Sequence, residues 1–230
     1  MSQSNLYVDI GHSAVKWRTH DSEVFSQSVD KFSEKSLPDN QSVWLSAVAH
    51  PQIVEAINIK FSDVEVVKSL SHFGSLTIAY KEPLDLGSDR FLAMLGALKY
   101  FPDRNLLIID VGSALTIDVV NDSGEHKGGL IMPGLEALRG SFAKFATNSQ
   151  NLNSSSLQSS TDEAWLSGTQ AMLISSIKEQ ITGFETEHPD GIVTLTGGSV
   201  RSLISELPET VNYFDNLVLD GLESYSKSMG

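Results

Sequence analysis

Hydrophobic and polar positions divide the chain into short apolar runs with the two-residue period of β-strands and longer stretches with the period of amphipathic helices. In the first part of the chain, the runs at 5–10 and 14–20 flank a glycine turn and predict a β-hairpin. The same pattern predicts further strands at 23–29, 42–49 and 64–69 and helices at 51–60 and 88–101. We expect Ser88 to cap the second of these helices.

The pattern starts again at residue 105. "NLLIIDVGSALTIDVV" (105–120) has the plan of "NLYVDIGHSAVKWR" (5–18), namely an apolar run, an aspartate, one residue, a glycine, a hydroxyl and then alternation. We therefore predict an internal duplication, with an N-terminal half at 1–104 and a C-terminal half at 105–230. The second half continues with strands, helices and a final strand and helix at 125–134, 135–146, 161–184, 191–198 and 215–229. This alternation of strands and helices favours an α/β fold.

The Asp-x-Gly triplets at 9–11 and 110–112 each end an apolar strand and open a second strand with hydroxyls. Asp-x-Gly is also a common turn, and 85–87 and 122–124 carry it too, so turn chemistry remains an alternative. In a binding site, the glycine lets the backbone approach an anion, amide and hydroxyl groups bind phosphate, and the carboxylate holds Mg²⁺ through water. The sequence contains neither a Walker motif nor a dinucleotide-binding motif.

Charge and composition exclude several classes of function for this protein. The chain has 16 Lys+Arg against 29 Asp+Glu, a formal net charge of -13, so we expect no nucleic-acid partner and no membrane surface partner. It contains no cysteine, which excludes disulfides and thiolate chemistry. With no apparent secretory signal, a cytoplasmic location is the expectation. The Ser/Asn-rich stretch at 148–160 predicts a mobile loop.

The paired hairpins resemble the actin, hexokinase and Hsp70 ATPase superfamily, whose duplicated ribonuclease-H-like halves each begin with such a hairpin. The resemblance implies that "DVGSALTID" (110–118) is the second phosphate loop and that "TGGS" (196–199) contacts the nucleoside. It implies a first phosphate loop for ATP at Asp9, Ile10, Gly11, His12, Ser13, Ala14, Val15 and Lys16.

Five motifs narrow the resemblance further: "YKEPLDLGSDRFLAMLGA" (80–97), "DVGSALTID" (110–118), "GGLIMPG" (128–134), "TDEAWLSG" (161–168) and "LVLDGL" (217–222). In this order, over nearly the whole chain, they resemble type III pantothenate kinase. The resemblance implies ATP-dependent phosphorylation of pantothenate to 4'-phosphopantothenate, the first step of coenzyme A biosynthesis. It also implies Mg²⁺ and a monovalent cation, K⁺ or NH₄⁺.

The same resemblance implies roles for individual residues. Asp89 is the general base, and pantothenate is held by Tyr80, Gly87, Ser88, Asp89 and Arg90. Ser113 binds ATP, and Asp110 binds the monovalent cation. Thr161 reaches pantothenate from the partner subunit, which implies a homodimer. From the residues alone, Asp89 has a plainer alternative, because an acidic side chain in a first helical turn stabilises the helix dipole.

The sequence departs from the family pattern in its phosphate loops. His12 and Ser13 stand where that family usually has Asn and Thr, Ser113 replaces a Thr, and Ala79 precedes Tyr80 where Asn is favoured. These departures keep open a non-catalytic regulatory or ligand-binding protein on the same fold. A polyphosphate or nucleotide hydrolase of the superfamily is a third hypothesis.

Overall fold

The structure is a computed structural model that describes residues 4–20, 22–39, 41–142, 144 and 154–229. The chain forms two compact units. The first comprises residues 1–103, 123–126 and 216–230, and the second comprises 104–122 and 127–215. Among the described residues, no helix has the length and apolar character needed to cross a membrane.

The first unit is built on a five-stranded sheet in the order β3-β2-β1-β4-β5. Its strands are β1 (Ser4–Ile10), β2 (Ala14–Thr19), β3 (Phe25–Ser28), β4 (Gln41–Ala47) and β5 (Val64–Val66). β1 pairs antiparallel with β2 and parallel with β4, and a separate small hairpin joins β6 (His72–Phe73) to β7 (Leu76–Thr77). The helices of this unit are α1 (Pro51–Lys60), α2 (Ser88–Tyr100) and α5 (Leu217–Met229).

Helices α2 and α5 pack backbone to backbone through two glycines. A Cβ built on Gly96 would clash with the carbonyl of Leu217, and one built on Gly221 would clash with the carbonyl of Leu92. Glycine lets the helix axes approach more closely than a larger side chain would allow. The N-terminal unit therefore includes a helix from the far end of the chain.

A buried cluster of charges also fixes α5. Glu223 accepts from Arg18 (3.1 Å), Lys99 (3.1 Å) and Lys227 (2.7 Å), and Arg18 also pairs with Asp220 at 2.7 Å. Burial alone would raise the pKa of Glu223, but the hydrogen bonds and charges of Lys227 and Lys99 outweigh it and lower this pKa from 4.5 to about 2. Glu223 is therefore ionised at neutral pH.

The second unit contains a five-stranded sheet in the order β10-β9-β8-β11-β12. Its strands are β8 (Leu106–Val111), β9 (Ala114–Val120), β10 (His126–Pro133), β11 (Ile192–Thr196) and β12 (Asn212–Tyr213). The helices are α3 (Leu135–Gly140) and α4 (Thr161–Glu187). One face of β8 and β9 packs into the core of this unit with Ile177 and Ile181 of α4.

Most predicted elements are confirmed, with two corrections. Ser88 does not cap α2, because the helix already includes Ser88 and Gly87 is the residue before it. The strand predicted at the start of 215–229 is wrong, because α5 begins at Leu217. Asn216 explains the difference: its Oδ1 accepts from the Leu219 amide at 2.9 Å, which is the hydrogen bond of a helix N-cap.

Other predictions fall partly outside the described residues. The helix predicted at 135–146 is shorter in the structure, where α3 ends at Gly140 with Ser141 as its C-cap, and residues 143 and 145–153 are not described. The predicted loop at 148–160 is therefore described only over 154–160, where no helix or strand occurs. The division into an N-terminal half at 1–104 and a C-terminal half at 105–230 describes a sequence duplication. It stays a prediction, because the compact units do not test it.

Candidate active site

The first glycine turn is closed by its own backbone. The Gly11 amide donates to the Ala14 carbonyl at 3.0 Å, and the Ser13 carbonyl accepts from the Val29 amide at 3.0 Å. Asp9, near the end of β1, is buried and lies opposite Lys16 in the β1–β2 register. The structure thus brings the acidic and the basic end of the predicted first phosphate loop opposite each other on one hairpin.

A histidine from the next loop contacts the tip of this turn. Nε2 of His50 is hydrogen bonded to the His12 carbonyl oxygen at 2.9 Å. His50 is the residue before Pro51 and has a φ of 56°, in the left-handed region that non-glycine residues rarely adopt. Because the contact uses the backbone of His12, the unusual side chain at position 12 does not disturb it.

Ser46 links this hairpin to the start of α2. It is fully buried on β4, in register with Asp9 on the parallel strand β1. Its Oγ lies 3.3 Å from Oγ of Ser88. The structure therefore brings the first phosphate loop and the "GSDR" motif (87–90) to the same end of the sheet. Sequence reasoning missed Ser46, whose only signal was a hydroxyl inside the apolar run "VWLSAVA".

The carboxylate of Asp89 is folded back at the N-terminus of α2. Its Oδ1 accepts from the Arg90 amide at 2.8 Å. A Cβ added to Gly87 would lie 2.5 Å from the same oxygen, so glycine at this position leaves the space that the carboxylate occupies. The motif thus places a half-buried carboxylate at the N-terminus of a helix, where the helix dipole attracts negative charge.

Arg90 is buried and turned toward Tyr80. Its Nη1 donates to the Tyr80 hydroxyl at 3.0 Å, and its guanidinium carbon lies 5.8 Å from the centre of the Tyr80 ring. The Tyr80 ring stacks on His126, with ring centres 6.1 Å apart and planes 8° from parallel. The structure thus brings Tyr80, Asp89 and Arg90 together, and it adds His126, which sequence reasoning missed.

A groove of about 440 Å³ borders the same motif. It is lined by Gly87 and Ser88, by apolar side chains that include Val48 and Val66, and by Lys68, two residues after the end of β5. Small-molecule sites commonly combine an apolar lining with a few polar groups. The groove gives a small organic acid room to bind beside the start of α2.

The second glycine turn has matching geometry within the second unit. The Gly112 amide donates to the Ala114 carbonyl at 2.9 Å, and the Ser113 carbonyl accepts from the Gly134 amide at 3.1 Å. A Cβ on Gly197 of "TGGS" would lie 2.5 Å from Oδ1 of Asp110. The structure therefore brings Asp110 and Ser113 close to "TGGS" (196–199), the predicted nucleoside contact. The Gly134 amide stabilises the turn through its hydrogen bond to Ser113.

Asp110 and Asp118 lie on the same face of the β8–β9 hairpin. Asp110 pairs with Thr116, which is two residues from Asp118, and side chains two residues apart on a strand share a face. Among the described residues, no three His, Cys, Asp or Glu side chains group into a metal cluster. The oxygen donors around Asp110 suit a hard cation that completes its coordination with water and ligand oxygens.

Thr161 is the first residue of α4, and its side chain is exposed. The Ser160 hydroxyl caps this helix by accepting from the Glu163 amide at 3.4 Å. Thr161, Asp110 and Ser113 all belong to the second unit, whereas the first phosphate loop, Tyr80 and residues 87–90 belong to the first.

A family model described as type III pantothenate kinase matches residues 5–183. The chain belongs to the type III pantothenate kinase family. It is 31% identical to a type III pantothenate kinase of Alcanivorax borkumensis over 240 residues, covering 95% of this chain and 96% of that protein. It is 30% identical to the type III pantothenate kinase of Hahella chejuensis, covering 94% of each chain.

Solved structures confirm the predicted fold class. A Baf family protein of Campylobacter jejuni, described as a conserved transcriptional activator, superimposes with a TM-score of 0.66 at 22% identity and covers 97% of this chain and 98% of its own. MreB 5 of Spiroplasma citri bound to AMPPNP gives a TM-score of 0.52 at 10% identity and covers 100% of this chain and 97% of its own. At these identities the likeness concerns the fold, which is that of actin-like ATPases.

Membership of the type III pantothenate kinase family also settles the class of activity. This family phosphorylates pantothenate in coenzyme A biosynthesis, so the prediction of a kinase that uses ATP is confirmed. The curated relatives are named as kinases, and none of these comparisons supports the non-catalytic alternative. The roles of individual site residues stay predictions.

Proposed function

We propose that the chain transfers the γ-phosphoryl group of ATP to the primary hydroxyl of pantothenate, with the "GSDR" turn as its catalytic centre. The observation that supports this assignment is the contact set around Asp89. One turn holds an acceptor carboxylate and a buried guanidinium side by side, and Ser88 connects that turn through Ser46 to the end of the strand that carries Asp9.

Asp89 acts as the general base in this proposal. As the bond between the hydroxyl oxygen of pantothenate and phosphorus forms and the bond to ADP breaks, the hydroxyl proton passes to the Asp89 carboxylate. An alcohol needs such a base late in the reaction, when its oxygen has become acidic. The hydrogen bond from the Arg90 amide keeps Oδ1 in place, and the other carboxylate oxygen takes the proton.

Arg90 and Tyr80 bind the carboxylate end of pantothenate. A guanidinium is well suited to a carboxylate because its parallel N–H groups match the two oxygens. Arg90 is buried, and its Nη1 donates to the Tyr80 hydroxyl, which places the guanidinium and the hydroxyl side by side. The adjacent residues Asp89 and Arg90 would then serve opposite ends of one small hydroxy acid.

Each glycine turn is assigned to phosphate binding. Residues Asp9 to Lys16 and Ser113 offer backbone amides, hydroxyls and one lysine to the phosphates. Mg²⁺, when bound, would neutralise charge on the phosphates, and its nearest protein ligand would be Asp9, through water. We assign the K⁺ or NH₄⁺ ion to Asp110, whose neighbourhood offers Thr116 and backbone oxygens.

We propose a homodimer in which Thr161 completes the substrate site of the partner subunit. The second unit exposes several large apolar side chains, on the edge strand β10 and on the segments after α3 and within α4, namely Leu130, Ile131, Phe142 and Met172. Exposed apolar groups on an edge strand are typical of interaction surfaces. We expect the enzyme to act in the cytoplasm, where ATP is abundant, and the net charge of -13 argues against a nucleic-acid partner.

The deciding experiment measures ADP release by the purified chain with ATP and Mg²⁺. We expect ADP only when pantothenate is added, with mass spectrometry showing one phosphate on the product. ADP release without pantothenate would instead indicate the hydrolase hypothesis. The assay is repeated in sodium, potassium and ammonium buffers, and equal rates in all three would contradict a monovalent-cation site at Asp110.

A mixing experiment tests the shared site. The Asp89→Asn and Thr161→Val variants are each expected to be nearly inactive. A mixed dimer of the two contains one site with an intact Asp89 and an intact partner Thr161, so co-refolding both variants should restore activity. Failure to restore it, with mixed dimers shown by mass spectrometry, would contradict the partner role of Thr161.

A further inference from the structure

The turn that joins β9 to β10 packs against the segment before Tyr80, inside the first unit. The Gly124 carbonyl accepts from the Thr77 amide at 2.9 Å, and Thr77 forms an isolated parallel bridge with Glu125. Gly124 has a φ of 78°, and a Cβ there would clash with the Ser75 carbonyl. Residues 123–126 are thus fitted closely to residues 75–77 by backbone contacts.

His126 extends this contact to the predicted pantothenate-binding loop. Only 3% of its surface is exposed. Its ring stacks on Tyr80, and its Nδ1 accepts a long hydrogen bond of 3.4 Å from the Ala79 amide. The ring of His126 therefore contacts Tyr80 face to face while one of its ring nitrogens reaches the backbone of the same loop.

Tyr80 lies in a segment, 78–80, that belongs to no helix or strand. The orientation of the Tyr80 side chain therefore depends on its side-chain contacts. In the described part of the chain these contacts are with the ring of His126 and the guanidinium of Arg90. If the Tyr80 ring tilts, its hydroxyl moves away from Nη1 of Arg90, and the guanidinium loses that hydrogen bond. A displacement at His126 would thus reach two of the residues assigned to pantothenate.

We propose that His126 is a positioning residue for pantothenate: its ring fixes Tyr80, and through Tyr80 it fixes the guanidinium of Arg90. The inference rests on the proposed function of Tyr80 and Arg90. A positioning role requires an aromatic ring at position 126, because the ring must stack on Tyr80. A residue that only filled space could instead be replaced by an aliphatic residue of similar size.

The test compares His126→Leu with His126→Phe in the full-length enzyme. Both keep an apolar group in the buried space, but only phenylalanine keeps a ring to stack on Tyr80. We expect His126→Leu to raise the KM for pantothenate about three- to ten-fold, the effect of losing one aromatic pair, while the KM for ATP stays within about two-fold. His126→Phe should restore a KM for pantothenate close to that of the wild type.

A matched control is His188→Ala, which removes a ring whose centre lies 5.0 Å from that of Phe184, in the second unit. It should leave both KM values unchanged. The inference is overturned if leucine and phenylalanine at position 126 give the same KM for pantothenate, or if the leucine variant raises the KM for ATP by the same factor.

Hydrogen exchange separates this inference from the proposed function, because it needs no turnover. In the wild type and in His126→Phe, we expect the backbone amides of 76–81 to exchange more slowly than in His126→Leu. If the enzyme forms no ADP with pantothenate but this difference is present, the proposed function fails and the positioning contact stands. Equal exchange in all three proteins would overturn the positioning contact itself.

Discussion

Oδ1 of Asp89 occupies the space next to Gly87, 2.5 Å from where a Cβ at position 87 would be. Gly87→Ala should therefore push the carboxylate out of its position without removing it. We expect kcat to fall about ten- to a hundred-fold, because displacements of about 1 Å at a reacting group have effects of this size. Steady-state ADP release at saturating pantothenate measures it. Unchanged kcat would show that the carboxylate tolerates another position.

Asp89→Asn keeps the shape of the side chain but removes its ability to accept a proton. We expect kcat to fall roughly 10²- to 10⁴-fold, the usual contribution of a general base, with an unchanged circular dichroism spectrum. The matched control is Asp190→Asn, an exposed aspartate in the turn after α4, which should stay fully active. If Asp89→Asn is as active as the wild type, Asp89 is not the general base and only stabilises the start of the helix.

Gly221→Ala should destabilise the first unit. The added methyl group has no room against the Leu92 carbonyl, so α2 and α5 must move apart. We expect the free energy of unfolding to fall by at least about 2 kcal/mol, as in other overpacked cores. Urea denaturation followed by tryptophan fluorescence measures the change.

Gly183→Ala is the control for that substitution. Gly183 also lies within a helix, α4, but a Cβ there meets no atom within 4 Å. Replacing this exposed glycine should raise the free energy of unfolding by about 0.5–1 kcal/mol, the difference in helix propensity. Equal effects of the two alanines would mean that close packing between α2 and α5 contributes nothing.

Glu223 predicts a specific loss of stability in acid. Its pKa is lowered from 4.5 to about 2 in the folded protein, so its contribution is complete above about pH 5 and is lost as the pH falls toward 2. A shift of this size corresponds to about 3 kcal/mol. Glu223→Gln should therefore be less stable than the wild type at pH 7 by about that amount, and the difference should disappear near pH 2.

Denaturation of both proteins by urea at several pH values tests this, with Glu179→Gln on the exposed face of α4 as the control. The control should track the wild type at every pH. A gap between wild type and Glu223→Gln that stays constant from pH 7 to pH 2 would contradict the role of the ionised carboxylate.

The sequence predicted the elements whose signals are local. The glycine turns after Asp9 and Asp110 and the helix that opens with Pro51 are each encoded by a few adjacent residues, and the structure has them. The motif resemblance pointed to the "GSDR" turn, and in the structure Arg90 of this turn contacts Tyr80, while the roles of these residues stay predictions.

What the sequence could not predict depends on distant residues. Ser46 and His126 look like ordinary strand residues in the sequence. Folding brings Ser46 to Ser88, which is 42 residues away, and brings His126 to Tyr80, which lies in a different loop. The run Leu217–Leu219 resembled a strand because its apolar residues are consecutive, and only the cap at Asn216 and the two-sided burial of α5 make it helical. Local periodicity contains no information about such partners.

The position of α5 has a consequence for biosynthesis. The helix that completes the first unit is translated after the whole second unit, so the Gly96 face of α2 stays without its packing partner until α5 has been made. Nascent chains that stop short of residue 216 should therefore be targets for chaperones and proteases through their N-terminal portion, even though the sheet strands of that portion were made first.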